Sequence, residues 1–276
     1  MIRRDIRLAE GAAGWMLISQ VEHARISAHL ASHCRGPFGP PGARGDRDDS
    51  PDLDAVRTEV LDAIALHDDG WADWERAPRL DAKLGRPLSF MELETNESLA
   101  IWSRSIESAA ARGPLAAWMV AGHFSWLLGH SESSRGEASA LAWRDEMSRR
   151  RENWFTAWRA IDPNLRTRDL ADAALQWLWT FDVASLWFCN SAAAGDEAAA
   201  AATQFNTTGE GTPLEMRFRS RPAAQGAAAT AMPWRFDAAH LAVEADGLIV
   251  PAMCYANPYA MFAAGEPHRL HWRFER

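Results

Sequence analysis

The spacing of apolar residues changes twice along the chain. Ile2, Ile6 and Leu8 alternate with charged residues, and residues 15–18 are apolar again after a glycine-containing turn. This period of two predicts a β-hairpin. Apolar residues then recur every three to four positions, which predicts helices at residues 19–34, 50–69, 96–112, 114–130, 137–161 and 167–189. Beyond residue 213 the period of two returns and predicts strands.

The pattern therefore predicts a mainly α fold with an N-terminal β-hairpin and a small C-terminal β-rich region. We expect a helical body with the hairpin at residues 1–190, a linker at 191–212 rich in small residues, and a β-rich region at 213–276 packed on the body. Within that last region, Asp246-Gly247 lies between two apolar runs and predicts a hairpin turn. Gly70 is expected to end the second helix in a left-handed conformation.

Composition and charge restrict the class of partner. The net charge of −8 argues against a nonspecific nucleic-acid binder, which needs a basic surface for phosphates. No apolar run reaches the roughly 18–20 residues that span a bilayer. The three cysteines lack CxxC spacing and are expected to be reduced thiols in a cytoplasmic protein. A small-molecule partner is the expectation that remains, and the oligomeric state stays open.

Histidines and aspartates lie at positions that the helical pattern turns inward. His23 shares an apolar stripe with Ile26 and Leu30, and His123 lies in a helix that is apolar nearly all round. Asp182 lies in an apolar helix with no arginine or lysine from residue 170 onward to pair with it. For each histidine alone, a core residue that hydrogen-bonds to a carbonyl is the more common case.

The set as a whole indicates a metal site. His23, His67-Asp68, His123 and Asp182 are separated by roughly 40 to 60 residues and lie on different predicted helices. Inward-facing imidazoles and carboxylates from several helices are how helical bundles build metal centres. Mixed nitrogen and oxygen ligands suit a divalent metal such as Fe, Mn, Zn, Co or Ni. Its identity and the number of ions stay open.

These residues carry a resemblance to known families. Their order (a histidine, an adjacent histidine and aspartate, and a late helical aspartate) resembles the HD-domain superfamily of metal-dependent phosphohydrolases, in which His123 corresponds to an extra histidine of two-metal members. The whole chain more closely resembles a bacterial family of unknown function, the domain-of-unknown-function 3891 family. The residues that carry this resemblance are 17–20, 23–24, 67–68, 70–71, 74, 85–87, 90, 182 and 185–186.

The HD-like resemblance implies an HD-like helical bundle that hydrolyses a phosphoester of a small molecule, with Asp68 as the catalytic residue. Arg86 and Arg104 are expected to hold a phosphate, by their charge alone. Trp71 and Trp74 either line the substrate pocket or clamp their loop onto the core. The alternatives to hydrolysis are an HD-like di-iron oxygenase and a non-catalytic binding or sensor module.

Overall fold

The computed structural model describes residues 1–8, 11–34, 53–131, 134, 136–190, 201–205, 214–223, 226–232 and 234–276. Its helices are α1 (Gln20–His33), α2 (Arg57–Leu66), α3 (Ala72–Glu75), α4 (Thr95–Ala110), α5 (Pro114–His130), α6 (Ala138–Arg159), α7 (Arg168–Asn190) and α8 (Pro258–Ala263). Its strands are β1 (Ile2–Arg7), β2 (Ala13–Ile18), β3 (Ala201–Phe205), β4 (Leu214–Ala223), β5 (Gly226–Met232), β6 (His240–Pro251) and β7 (Glu266–Glu275).

The mainly helical fold and the N-terminal hairpin are confirmed. Ser19 caps α1 as predicted, because its hydroxyl accepts a hydrogen bond from the Glu22 amide at 2.9 Å. The predicted start of the second helix at residues 50–51 lies outside the described residues. None of the helices in the described part of the chain is long and apolar enough to cross a membrane.

Helix α5 is the centre of the helical body. It is buried along most of its length and packs against α2, α4, α6 and α7. Trp158 on α6 is fully buried beside it, and its indole N–H donates to Glu59 on α2 at 3.1 Å. Helix α1 packs mainly on α7 and α2. The body therefore brings α1, the end of α2, α5 and α7 together around one interior region.

One seven-stranded sheet takes strands from both ends of the chain. The order is β1-β2-β6-β7-β5-β4-β3, and β2 pairs antiparallel with β6. The N-terminal hairpin and the C-terminal strands thus share one sheet, which is larger than the small β-rich region that the sequence predicts. Within the segment predicted to be a linker, residues 201–205 form β3 and pair with β4.

The predicted hairpin turn at Asp246-Gly247 is wrong, because β6 continues through it. Gly247 is opposite Ile18 of β2 on one side and His268 of β7 on the other. A strand that is paired along both edges has its backbone groups satisfied there and does not reverse. A Cβ atom on Gly247 would lie 2.9 Å from the sulfur of Met16, so this glycine permits a close approach between strands.

The predicted left-handed conformation of Gly70 is also wrong. Gly70 lies in a 3₁₀ turn, Asp69–Trp71, and its φ is outside the left-handed range. A Cβ atom on Gly70 would lie 2.2 Å from the carbonyl oxygen of Ile101 and 2.5 Å from the amide nitrogen of Ser105. The Gly70 amide donates to the Ser105 hydroxyl at 2.9 Å. Gly70 is therefore needed for contact between this turn and α4.

We expect Gly70→Ala to destabilise the protein by about 1–3 kcal/mol or more, since the added methyl group meets backbone atoms that cannot move aside cheaply. Gly129→Ala is the matched control, because nothing lies within 4 Å of a Cβ atom there. Gly129 lies in the last turn of α5, where Gly129→Ala should be neutral or stabilise the protein by about 0.5–1 kcal/mol. Denaturant unfolding of both variants measures the difference, and equal stabilities would contradict the close packing of the turn.

Candidate metal centre

Three side chains from three helical segments meet inside the helical body. His23 lies on α1, His67 directly follows α2, and Asp182 lies on α7. Asp182 Oδ1 is 2.9 Å from His23 Nε2 and 3.3 Å from His67 Nε2, and the two Nε2 atoms are 3.3 Å apart. Both imidazoles are fully buried. The structure thus brings together side chains that are far apart in sequence.

Hydrogen bonds on the far side of each ring determine which nitrogen faces the centre. His67 Nδ1 donates to the carbonyl oxygen of Ile64 at 2.7 Å. His23 Nδ1 lies 2.6 Å from the Ser185 hydroxyl, which itself donates to the Asp182 carbonyl oxygen at 2.9 Å. In the tautomer of His23 that carries its proton on Nδ1, the Ser185 oxygen accepts from that nitrogen. In that tautomer, the Nε2 lone pairs of His23 and His67 both face the centre.

The centre is consequently a group of acceptors that face one another. Two nitrogen lone pairs and a carboxylate oxygen, all within 4.8 Å of one another, have no hydrogen atom between them when both rings are neutral. Burying such groups without a compensating positive charge costs several kcal/mol. A proton or a metal ion supplies that charge. The three residues can hold a metal ion, and their mixed nitrogen and oxygen donors match borderline divalent metals.

Asp68 is a fourth group at this centre. Its Oδ2 atom lies 3.7 Å from His23 Nε2 and 3.6 Å from His67 Nε2, and its side chain is 6% exposed. These distances are longer than those of Asp182, so Asp68 borders the group of three without hydrogen-bonding to either ring. His67 and Asp68, the adjacent pair of the sequence motif, therefore both lie at the centre. His67 belongs to the group of three, and Asp68 lies beside that group.

His123 lies at the edge of the centre. Its ring centroid is 5.5 Å from that of His67, and the two rings meet edge to face. The ring is buried, and its Nδ1 atom has no hydrogen-bond partner within the described part of the chain. His123 is outside the group of three residues that can share one ion in this conformation. It lies beside that group, and no described residue hydrogen-bonds to its Nδ1 atom.

The pKa values of these residues follow from burial and the two carboxylates. Burial lowers the pKa of His67, but Asp68 and Asp182 outweigh burial and raise that pKa to about 9. Burial dominates at His123 and lowers its pKa to about 4. Burial opposes ionisation of Asp182, yet hydrogen bonds from His23 and His67 hold its pKa well below the usual range. A proton on His67 therefore balances the carboxylates at neutral pH when no metal is bound.

The two arginines predicted to bind substrate hydrogen-bond to other protein groups. Arg86 donates to Glu92 at 2.7 Å, and Arg104 donates to the carbonyl oxygen of Gly70 at 3.1 Å.

The two tryptophans of the loop contact each other. Trp71 is buried, with its ring centroid 5.5 Å from that of Trp74, whose indole N–H donates to Glu97 at 2.6 Å. These contacts show how the loop is held, and a role of the two rings in lining a substrate pocket stays a prediction.

Two serines that the sequence pattern did not single out as site residues support the ligands. Ser185 contacts His23 Nδ1, and Ser27 lies 2.7 Å from the Ser185 hydroxyl. Ser27 follows His23 by four residues and Ser185 follows Asp182 by three. Residues at these spacings lie on the same side of a helix, so the position of each serine one turn from a candidate ligand is the signal that could have identified it.

We expect Ser185→Ala to lower the affinity for Zn²⁺ by about 10–100-fold, because the ring of His23 loses the group that orients it. Ser125→Ala is the matched control, since the Ser125 hydroxyl donates to a carbonyl oxygen of its own helix, that of Ala121, at 2.6 Å. Its affinity should equal that of the original protein. Competition with a chromophoric chelator measures both values, and an unchanged affinity in Ser185→Ala would show that the hydroxyl does not orient His23.

We expect metal binding to release a proton. Because His67 is protonated below its pKa of about 9, Zn²⁺ must displace about one proton per ion near neutral pH. The apparent affinity should rise about tenfold per pH unit and level off near that pKa. Without metal, the raised pKa contributes stability that is complete below about pH 6.5, the unfolded value, and is lost as pH rises through about 9.

Calorimetry in two buffers of different ionisation enthalpy counts the released protons. Zero protons released near neutral pH would mean that His67 is already neutral or does not bind the ion.

Comparison with known proteins identifies the family and nothing more specific. The family model described as "Protein of unknown function (DUF3891)" matches residues 1–252, which is most of the chain. No curated protein and no solved structure matches the chain significantly. The matched region contains the whole centre, from His23 to Asp182, and most of the sheet. The chain therefore belongs to the DUF3891 family of proteins of unknown function.

Proposed function

We propose that this protein is an HD-like metal-dependent hydrolase that cleaves a phosphoester of a small molecule. The observation that carries the proposal is the convergence of two imidazole nitrogens, from His23 and His67, with the carboxylates of Asp182 and Asp68. Their order along the chain is that of the HD-domain superfamily, in which such residues hold a metal for phosphoester hydrolysis.

The two aspartates have different roles in this proposal. A divalent metal at the centre would lower the pKa of a bound water molecule toward neutrality and so supply a nucleophile. Asp182 Oδ1 lies within hydrogen-bond distance of both imidazoles, as a ligand of the same ion would. Asp68 Oδ2 is 0.8 Å farther from His23 Nε2 than Asp182 Oδ1 is, at 3.7 Å against 2.9 Å. We therefore assign to its carboxylate the role of orienting the water and accepting its proton.

Asp182 is the most exposed of the side chains at the centre. It is 12% exposed, whereas the side chains of His23 and His67 are at most 1% exposed. In this proposal the substrate therefore approaches beside Asp182, while the imidazoles stay shielded from water. A largely closed centre suits a reaction on a small molecule.

The two arginines predicted to hold a phosphate have protein partners. Arg86 pairs with Glu92 and Arg104 with a backbone carbonyl, so neither guanidinium is directed to the centre by its described contacts. In this proposal the charge of a phosphoester is met at the centre itself by the metal, and phosphate binding by Arg86 and Arg104 stays a prediction from their charge alone.

The test separates metal binding from chemistry. We expect Asp182→Asn to lose the metal, whereas Asp68→Asn should keep it and lower kcat by about 10²–10⁴-fold with little change in KM. Protein reconstituted with Mn²⁺, Fe²⁺, Zn²⁺, Co²⁺ or Ni²⁺ is assayed for phosphate release from nucleotides, cyclic nucleotides and simple phosphoesters. Metal content is measured on the same samples by mass spectrometry.

Asp73→Asn is the matched control, because Asp73 is an exposed aspartate that pairs with Arg76. It should leave both metal content and activity unchanged. Loss of the metal in Asp68→Asn would make Asp68 a ligand and not a proton acceptor. If no substrate releases phosphate from the metal-loaded protein, hydrolysis is wrong, and a protein that holds no metal at all would favour the binding or sensor module.

One observation favours a second function, oxygen chemistry at iron. His23, His67 and Asp182 are two histidines and one carboxylate, which is the ligand set of many non-haem iron oxygenases. With His123 beside them, the same residues would suit the di-iron alternative. Oxygen consumption by the Fe²⁺-loaded protein, with no phosphate release by any metal form, would select this function over hydrolysis.

A further inference from the structure

Two further histidines lie one turn apart at the end of α1. His29 and His33 are four residues apart on that helix, so they share one face. Their ring centroids are 5.0 Å apart, and the ring planes meet at 73°. The rings of His23 and His67 meet in nearly the same way, at 5.2 Å and 81°, with their Nε2 atoms 3.3 Å apart. Rings at this separation can bring one nitrogen each to the same ion, which requires donors about 2.0–2.1 Å from it.

Hydrogen bonds determine which nitrogen of each ring carries the hydrogen atom. His29 Nε2 lies 3.0 Å from the carbonyl oxygen of Ala242, and His33 Nδ1 lies 3.0 Å from Asp237 Oδ1. A carbonyl oxygen and a carboxylate only accept, so both of these nitrogens are donors. The lone pairs of the neutral rings therefore belong to His29 Nδ1 and His33 Nε2. No described residue hydrogen-bonds to either of these two atoms, and both remain accessible to solvent.

The partners of the two N–H groups are those that metal-binding histidines use. Such histidines commonly donate the second ring N–H to a backbone carbonyl or a carboxylate, which fixes the ring and makes it a stronger ligand. Ala242 lies in β6 and Asp237 shortly before it, whereas both rings belong to α1. An ion held by the two rings would therefore fasten the end of α1 to the sheet.

The surroundings leave the rings neutral and accessible. The side chain of His33 is 38% exposed. Burial lowers the pKa of His29, although the hydrogen bond to the Ala242 carbonyl raises it. A lowered pKa keeps His29 neutral near neutral pH, in the form that binds a metal.

The charges beside the pair do not oppose a cation as a whole. Arg25 lies one turn before His29 and is a positive charge that acts on it, but its guanidinium donates two hydrogen bonds to the Glu22 carboxylate. Asp237 contributes a negative charge beside His33.

We propose that His29 and His33 form a second metal site, which binds one Zn²⁺ or Cu²⁺ ion through His29 Nδ1 and His33 Nε2, with water in the remaining positions. Imidazole nitrogens suit both ions, and Cu²⁺ should bind more tightly than Zn²⁺. The site shares no ligand with the buried centre and does not depend on the proposed hydrolysis.

Histidine-selective NMR on the full chain, labelled with ¹⁵N-histidine, tests the proposal. On addition of Zn²⁺, His29 Nδ1 and His33 Nε2 should move to the range of metal-bound imidazole nitrogens, while the other nitrogen of each ring keeps its hydrogen atom. These signals are separate from those of His23 and His67, so the result does not depend on whether the buried centre binds a metal. Excess Zn²⁺ that leaves both rings unchanged, or that shifts only one of them, would overturn the proposal.

Substitutions test whether the two rings act as a pair. In His33→Gln, the Zn²⁺ affinity measured from the signals of His29 should fall at least about tenfold, because the remaining ring binds the ion without a second donor on the same helix. His29→Gln should have the same effect on the signals of His33. A folded His33→Gln variant in which His29 binds Zn²⁺ as tightly as before would overturn the pair.

His130→Gln is the matched control. His130 also lies on a helix and donates its Nδ1 hydrogen to a backbone carbonyl, that of Trp126, at 2.8 Å. Its ring contacts Trp126, and no second histidine ring contacts it within the described part of the chain. The Zn²⁺ affinity at His29 and His33 should be unchanged in this variant, and an equal loss there would show that the effect is not specific to the pair.

Discussion

Electrostatic compensation in a buried centre is the constraint on which the structure depends most. His23, His67 and Asp182 direct acceptor atoms toward one point from which water is largely excluded. Such an arrangement is stable only with a positive charge at that point, and a proton on His67 supplies it in the absence of metal. A metal ion that binds here displaces this proton. Folding stability and metal affinity therefore both depend on pH through the same few atoms.

The rest of the fold keeps these acceptors in position. Helix α5 is buried nearly all round and forms the support against which α2 and α7 pack. Ser185 and the Ile64 carbonyl oxygen fix the ring orientation from the side away from the centre. Because each imidazole is held through its Nδ1 atom, the direction of Nε2 is set by protein groups and does not depend on the ion. The site is preorganised in this sense.

Features that depend on local periodicity could be predicted from the sequence, whereas features that depend on distant partners could not. The inward direction of His23 and Asp182 follows from helical spacing, and the absence of a local counter-ion for Asp182 indicates a partner elsewhere. The pairing of Arg86 with Glu92 and the passage of β6 through Gly247 are set by neighbouring segments of the folded chain. The sequence predicts that Gly70 ends α2 in a left-handed conformation, whereas its role in the structure is contact with α4.

The contact of Gly70 with α4 also bears on how His67 and Asp68, which are adjacent in sequence, both lie at the metal centre. Side chains of neighbouring residues in a continuous α-helix leave the axis about 100° apart, so they point toward different parts of the surroundings. Here α2 ends at Leu66, and the backbone of Asp68 has φ −113° and ψ 17°, a sparsely populated region between helix and strand. This break in the helix allows the carboxylate of Asp68 to approach the centre that His67 also faces. The 3₁₀ turn that follows can pack on α4 in this way only with a glycine at position 70. The positions of His67 and Asp68 therefore depend on Gly70.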